Sequence, residues 1–173
     1  MLLLLSLLSA PMPPDKPITD GFLVGGADGL AFLGPDGKEL SRREAGYLGT
    51  LSPDGRRLAR THLEKGDAKS TLVIETREGK DGVKVPGVGI GNGEGCGLAW
   101  SVDGKKLLVV HSIGSRDGEA TTTHRVYDQA KKKLAGLDVP EAFYARGWSK
   151  DGKRLLGDWR EGGVVRVCWL AAD

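Results

Sequence analysis

The 173-residue sequence is poor in the features that mark enzymes, metal proteins and helical proteins. Its two cysteines, Cys96 and Cys168, lack the paired spacing of a thiolate metal site and are too few for a disulfide scaffold. They read as two small apolar side chains, or as one bridge if the chain is exported. No G-x-S-x-G elbow occurs, so serine-hydrolase chemistry has no nucleophile to start from. No Gly-Lys-Ser/Thr occurs, and no register of the glycine-rich run at residues 87–97 gives G-x-G-x-x-G. That run reads as a connection between repeats, without a nucleotide role. The formal net charge is only +2, with basic and acidic residues interspersed, which leaves out the one-sided basic surface that nucleic acid needs. Lys131, Lys132 and Lys133 form one short basic cluster, read as a solvated turn. Beyond residue 10 no segment shows the 3.6-residue period of an amphipathic helix. No apolar run approaches the roughly 20 residues of a membrane-spanning helix.

What the sequence does have is glycine, 27 residues of it, with 8 prolines and no collagen-like period. That composition fits many short strands joined by tight turns, an all-β chain with enough length for one core. The first ten residues stand apart. Seven of the first eight are Met or Leu, and a proline-rich stretch follows at residues 11–17. We read residues 1–20 as a signal-like apolar leader and linker, although no basic residue precedes the leucines. The expectation is export, periplasmic or extracellular, with a cytoplasmic location as the alternative.

Residues 21–173 carry a repeat. Leu51-Ser52-Pro53-Asp54-Gly55-Arg56-Arg57-Leu58, Trp100-Ser101-Val102-Asp103-Gly104-Lys105-Lys106-Leu107 and Trp148-Ser149-Lys150-Asp151-Gly152-Lys153-Arg154-Leu155 align without gaps. Their aspartates recur at intervals of 49 and 48 residues. Asp-Gly predicts a two-residue hairpin in which both residues accept positive φ. The serine is placed to hydrogen-bond the turn backbone, and the basic pair to meet water where the next strand leaves. The residues that follow, such as Leu107-Leu108-Val109-Val110, are apolar on both faces, as in a strand covered on both sides. A second hairpin fits between successive motifs, and Pro35-Asp36-Gly37 reads as the outer turn of a partial first unit. The expected architecture is a β-propeller-like array of about four small antiparallel sheets of three to four strands each. It forms an open arc or a small ring, with units at about 21–46, 47–95, 96–143 and 144–173.

The motif Leu/Trp-Ser-x-Asp-Gly-basic-basic-Leu resembles the WD-repeat-like propeller repeats of the TolB translocation protein and its relatives. The resemblance implies a propeller used for protein or ligand contact, and relatives also serve as gating domains of peptidases. Such propellers have six or more blades, and this chain has material for fewer than four complete ones.

Candidate chemical groups have structural readings that explain them better. His62 and His111 each lie eight residues after a motif aspartate, where Trp159 stands in the third motif. Repeat equivalence accounts for this, and no third ligand falls at matching spacing, so no zinc site is assigned. Asp54, Asp103 and Asp151 lack the alternating oxygen ligands of a calcium loop and read as turn formers. Trp100 and Trp148 occupy a repeated position held by Leu51 in the first motif, and read as largely buried core residues, not ligand-stacking ones. Residues 112–123 read as a long polar loop and the best single binding candidate. No catalytic, cofactor-binding or metal-ligating residue is assigned, and no cofactor is expected. The functional expectation is a non-enzymatic module that binds another protein or a ligand, without nucleic acid or a membrane span. Self-association through open sheet edges is a further possibility. The alternative is a truncated propeller segment or the accessory domain of an enzyme such as a propeller-gated peptidase.

Overall fold

A computed structural model describes residues 21–26, 29–43, 48–62, 71–76, 79–86, 88, 95–114 and 120–172. The leader at residues 1–20 lies outside them. The described residues form fourteen strands and no helix. The first sheet holds β1 (Phe22–Gly26), β2 (Gly29–Leu33) and β3 (Glu39–Arg43). The second holds β4 (Gly49–Leu51), β5 (Arg57–His62), β6 (Thr71–Thr76) and β7 (Val83–Val85). In the third are β8 (Gly95–Trp100), β9 (Lys106–Gly114), β10 (Ala120–Asp128) and β11 (Lys133–Gly136). The fourth contains β12 (Phe143–Trp148), β13 (Arg154–Glu161) and β14 (Val164–Ala171). Each sheet is antiparallel, with its strands in chain order. This is the expected array of four small sheets.

The three motifs sit at equivalent places, each between the first and second strands of its sheet. The turn itself differs from the two-residue hairpin expected. Gly55, Gly104 and Gly152 have φ of 67°, 68° and 68°, but the aspartates before them do not enter the positive region. Each glycine N–H donates to the carbonyl of the motif serine, three residues back, at 2.8–2.9 Å. The turn therefore starts at the serine, with only its last residue left-handed, which is why glycine alone is needed there. The serine hydroxyl accepts the N–H of Arg57, Lys106 or Arg154 at 2.9–3.0 Å and donates to the aspartate Oδ1 at 2.5–2.7 Å. That oxygen also accepts an N–H from Arg56, Lys105 or Lys153 at 3.1 Å. The aspartate is a local clamp, and the serine is buried in all three turns.

Strand pleating decides how the sheets stack. The fourth residue after each aspartate, Leu58, Leu107 or Leu155, faces the preceding sheet and is fully buried. The fifth, Ala59 or Leu108, faces the following sheet and is equally buried. Between the second and third sheets lies a core of Ala59, Leu72, Ile74, Val88, Trp100, Leu107, Val109 and Tyr127. Another, between the third and fourth, gathers Leu108, Val110, Phe143, Ala145 and Leu155. The first two sheets are joined by an ion pair as well as by apolar contact. Arg43 and Arg60 both donate to Glu75 Oε1, at 3.2 and 3.0 Å, and Glu75 is buried. The first strands pack consecutively, β1 on β4, β4 on β8 and β8 on β12. Among the described residues no packing of that extent joins β12 back to β1. Over the described residues the array is therefore an open arc.

Two further expectations are corrected and a third is refined. Residues 112–123 are mostly strand, because β9 and β10 run to Gly114 and from Ala120 with Thr122 paired to Ser112. Threonines 121–123 are β-branched and suit a strand as well as a loop; residues 115–119 lie outside the described part. The glycine-rich run ends inside β8, and Val88 near its start is buried in the core. Trp100 is 8% exposed, as expected, but Trp148 is only half-buried, at the rim of its interface.

Candidate functional site

The inter-sheet contacts are built by side chains at repeated positions. The indole N–H of Trp100 donates to the carbonyl of Thr50 in the second sheet at 3.3 Å. One repeat later, Trp148 donates to the carbonyl of Ala99 in the third sheet at 3.0 Å. Thr50 and Ala99 are themselves equivalent, so one hydrogen bond recurs from sheet to sheet. Neither indole is available for stacking a ligand with both faces.

The histidines do not converge. His62 ends β5 and lies 3.5 Å from Arg60 through Nδ1. His111 is buried within β9. His124, on β10, is buried in the third–fourth interface, where its Nε2 accepts the N–H of Ala145 at 3.1 Å. Burial holds the His124 imidazole below its usual range. Among the described residues no three His, Cys, Asp or Glu side chains gather as a metal site would require. The motif aspartates are held below the usual carboxylate range, first by the serine hydroxyl beside each. They are spent on their own turns. Cys168 is a half-buried free thiol against the third sheet, and the side chain of Cys96 lies outside the described part. Lys131 and Lys132 are exposed on the turn between β10 and β11, with Lys132 at φ 49°, and the exposed Lys133 opens β11. Ser149, Lys150, Asp151 and Arg154 line a shallow open depression beside the third motif turn, but its carboxylate is already bonded within that turn.

A different surface stands out, on the outer side of the fourth sheet. β14 pairs with β13 over its whole length, and among the described residues no further strand pairs beyond it. Cys168 and Leu170 point inward to the third sheet, whereas Val165, Val167 and Trp169 point the other way. Their exposures are 60%, 73% and 50%. Beside them lies a polar strip. Arg146 donates to Asp158 Oδ2 at 2.7 Å and covers the Tyr144 ring at 4.4 Å, and Arg160 approaches the same carboxylate at 3.7 Å. Arg146, first among these, holds the Asp158 carboxyl below its usual range. Arg154 lies over the Trp169 ring, 5.6 Å from its centre. An apolar strip flanked by arginines and a tyrosine is the composition of a protein-binding surface. Sequence reading missed it. The signal was present in Val164-Val165-Arg166-Val167-Cys168-Trp169-Leu170, which is apolar at positions of both parities, so that both faces of the strand carry apolar side chains.

No protein-family model matches this sequence, and no curated protein matches it. Solved structures do. Hydrazine synthase of Kuenenia stuttgartiensis superposes with a TM-score of 0.61 at 16% identity, over 88% of this chain and 49% of that one. The β-propeller domain of the Trilobed protease from Pyrococcus furiosus gives 0.56 at 20% identity, over 86% and 48%. Dipeptidyl peptidase 4 of Porphyromonas gingivalis gives 0.59 at 15% identity, over 89% and 29%. The chain thus spans about half or less of the length of each. At these identities the likeness establishes the fold alone: residues 21–172 form consecutive sheets of a β-propeller-type repeat array.

Proposed function

We propose that this chain is a non-catalytic propeller module that acts by binding another protein, and that the outer face of the fourth sheet is its contact surface. The observation that carries the reading is the exposure of Val165, Val167 and Trp169 on a strand held rigidly by β13. Apolar side chains so placed lose water only when a partner covers them. The repeated Ser-x-Asp-Gly motif supports a WD-like, TolB-type character for the repeats. Residues 1–10 support export to the periplasm or beyond, which N-terminal sequencing of the native protein tests. The test of binding is a charge on the strip. Val167→Glu is expected to abolish retention of the partner held by the wild-type chain, with the β-sheet circular dichroism of the isolated chain unchanged. Undiminished retention would reject the surface.

A second reading is the accessory domain of a peptidase. It is favoured by the peptidase propellers among the similar structures. Its test is whether peptidase activity co-purifies with the chain from the native host.

A further inference from the structure

We infer that the partner covering this surface is a second copy of the chain, so that two four-sheet arcs close head to tail into one ring of eight sheets. The inference rests on the outer face of the fourth sheet being a docking surface and names what docks there.

The positions themselves point to a sheet as the occupant. Strand register makes Val167 the counterpart of Leu72 and His124, since each pairs with the seventh residue after its motif aspartate. It likewise makes Trp169 the counterpart of Ile74 and Val126. Leu72 and Ile74 are 0% and 4% exposed because the third sheet lies on them. His124 is 5% exposed because the fourth sheet lies on it. Val167 and Trp169 stand at the same place in the stack, and among the described residues no sheet lies on them. The surface is therefore equivalent to the face that the next sheet covers in both the second and the third sheets.

The opposite end of the arc offers the matching half. Leu30 pairs with Arg43, whose guanidinium reaches Glu75, so that side of the first sheet faces the second. The reverse side presents Phe22 and Val24 on β1, 64% and 47% exposed. A following sheet is what the fourth sheet needs, and a preceding sheet is what the first sheet needs. Each copy holds one of each. Two copies related by a twofold axis through the ring centre satisfy both ends at once, which is how a heterologous contact closes instead of forming a fibre. Eight sheets lie within the usual range for propellers. The size agrees: the chain covers 48% of the Trilobed protease propeller domain, so a second arc of equal size supplies the rest.

Sedimentation equilibrium of the full chain at micromolar concentration is the test. The expected mass is twice the 18.4 kDa of one chain. Val167→Glu and Phe22→Glu should each halve that mass while leaving the β-sheet circular dichroism unchanged. Mixing the two variants should restore a dimer, because the mixture keeps one intact pair of faces. A monomeric wild type overturns the inference. So does a dimer indifferent to Phe22→Glu, which would mean a fourth-sheet-to-fourth-sheet contact or association through residues 1–10. If the wild type is monomeric while Val167→Glu still releases a different protein, the binding surface stands and only its occupant was misassigned.

Discussion

The two faces of the fourth sheet are made by the same strands and live in different surroundings. On the inner face Phe143, Ala145 and Leu155 are almost fully buried against the third sheet. On the outer face Val165, Val167 and Trp169, which alternate along β14 with the inward Cys168 and Leu170, remain largely in water. In an isolated sheet sandwiched between solvent and a core, the outward positions would be polar. Here Val165, Val167 and Trp169 on β14 are apolar, while Arg146, Asp158 and Arg160 on β12 and β13 are charged and form a polar strip beside them. A repeat of this kind writes each sheet for two neighbours, and a sheet that has only one keeps the second face exposed.

Equivalent positions on the two sides of that difference give the largest expected effect. Leu72→Ala should cost about 2–5 kcal/mol in chemical denaturation, as a fully buried leucine does. Val167→Ala, at the counterpart position and in protein dilute enough to be monomeric, should change stability by less than about 0.5 kcal/mol. Similar losses at both would erase the contrast between inner and outer faces. Next comes Gly157, at the centre of β13 on the inner face. A Cβ there would collide with the carbonyl oxygen of Tyr144 and the ring of Phe143. Gly157→Ala should therefore destabilise by about 1–3 kcal/mol, although alanine favours regular structure more than glycine does. A stabilised variant would show that the inner face has slack, like the outer one. Smaller again is Trp148→Phe, which keeps most of the ring and loses the hydrogen bond to Ala99. The expected cost is about 1 kcal/mol by thermal melting. No change would mean that the recurring indole bond is incidental to sheet stacking.

The sheet count was legible because one hairpin motif recurs and each of its residues has a local job. Ser52, Ser101 and Ser149 act within five residues of themselves, so their role needs no tertiary knowledge. The turn type was harder to read. Asp-Gly alone favours a two-residue hairpin, but a serine two residues earlier captures the aspartate and moves the start of the turn back to itself. Threonines 121–123 look like part of a loop because threonine is polar, yet cross-strand pairing with Ile113, Ser112 and His111 holds them extended. The exposure of the apolar side chains on the outer face of β14 was illegible for a more general reason. Alternation marks which side chains share a face, and only the number of stacked sheets tells whether that face is covered. Glu75 illustrates the same limit, since its partner Arg43 lies 32 residues away on another sheet.

The last effect is a change of slope with pH, and it belongs to the inner face alone. His124 accepts the Ala145 N–H through Nε2, which requires that nitrogen to be unprotonated. The rings of Phe143 and Tyr144 lie 6.4 and 6.3 Å away and offer no compensation for a full charge. Burial accordingly lowers its proton affinity from the ordinary value of 6.5. In this pair of states the unfolded chain binds the proton more readily than the folded one. Stability is then complete above the ordinary histidine range, declines as pH falls through 6.5 toward the lowered folded value, and levels off below it. The motif aspartates behave alike in sign but in a separate window, since their contribution is lost only as pH falls below the ordinary 3.8. Thermal midpoints of wild type and His124→Asn compared between about pH 8 and about pH 5 isolate the histidine. The variant supplies the baseline for every other group that titrates there. The wild type should lose more of its midpoint across that interval than the variant does. Parallel curves would mean that the third–fourth interface admits a charged imidazole, and so resembles the outer face of the fourth sheet more than the buried cores on which the contrast rests.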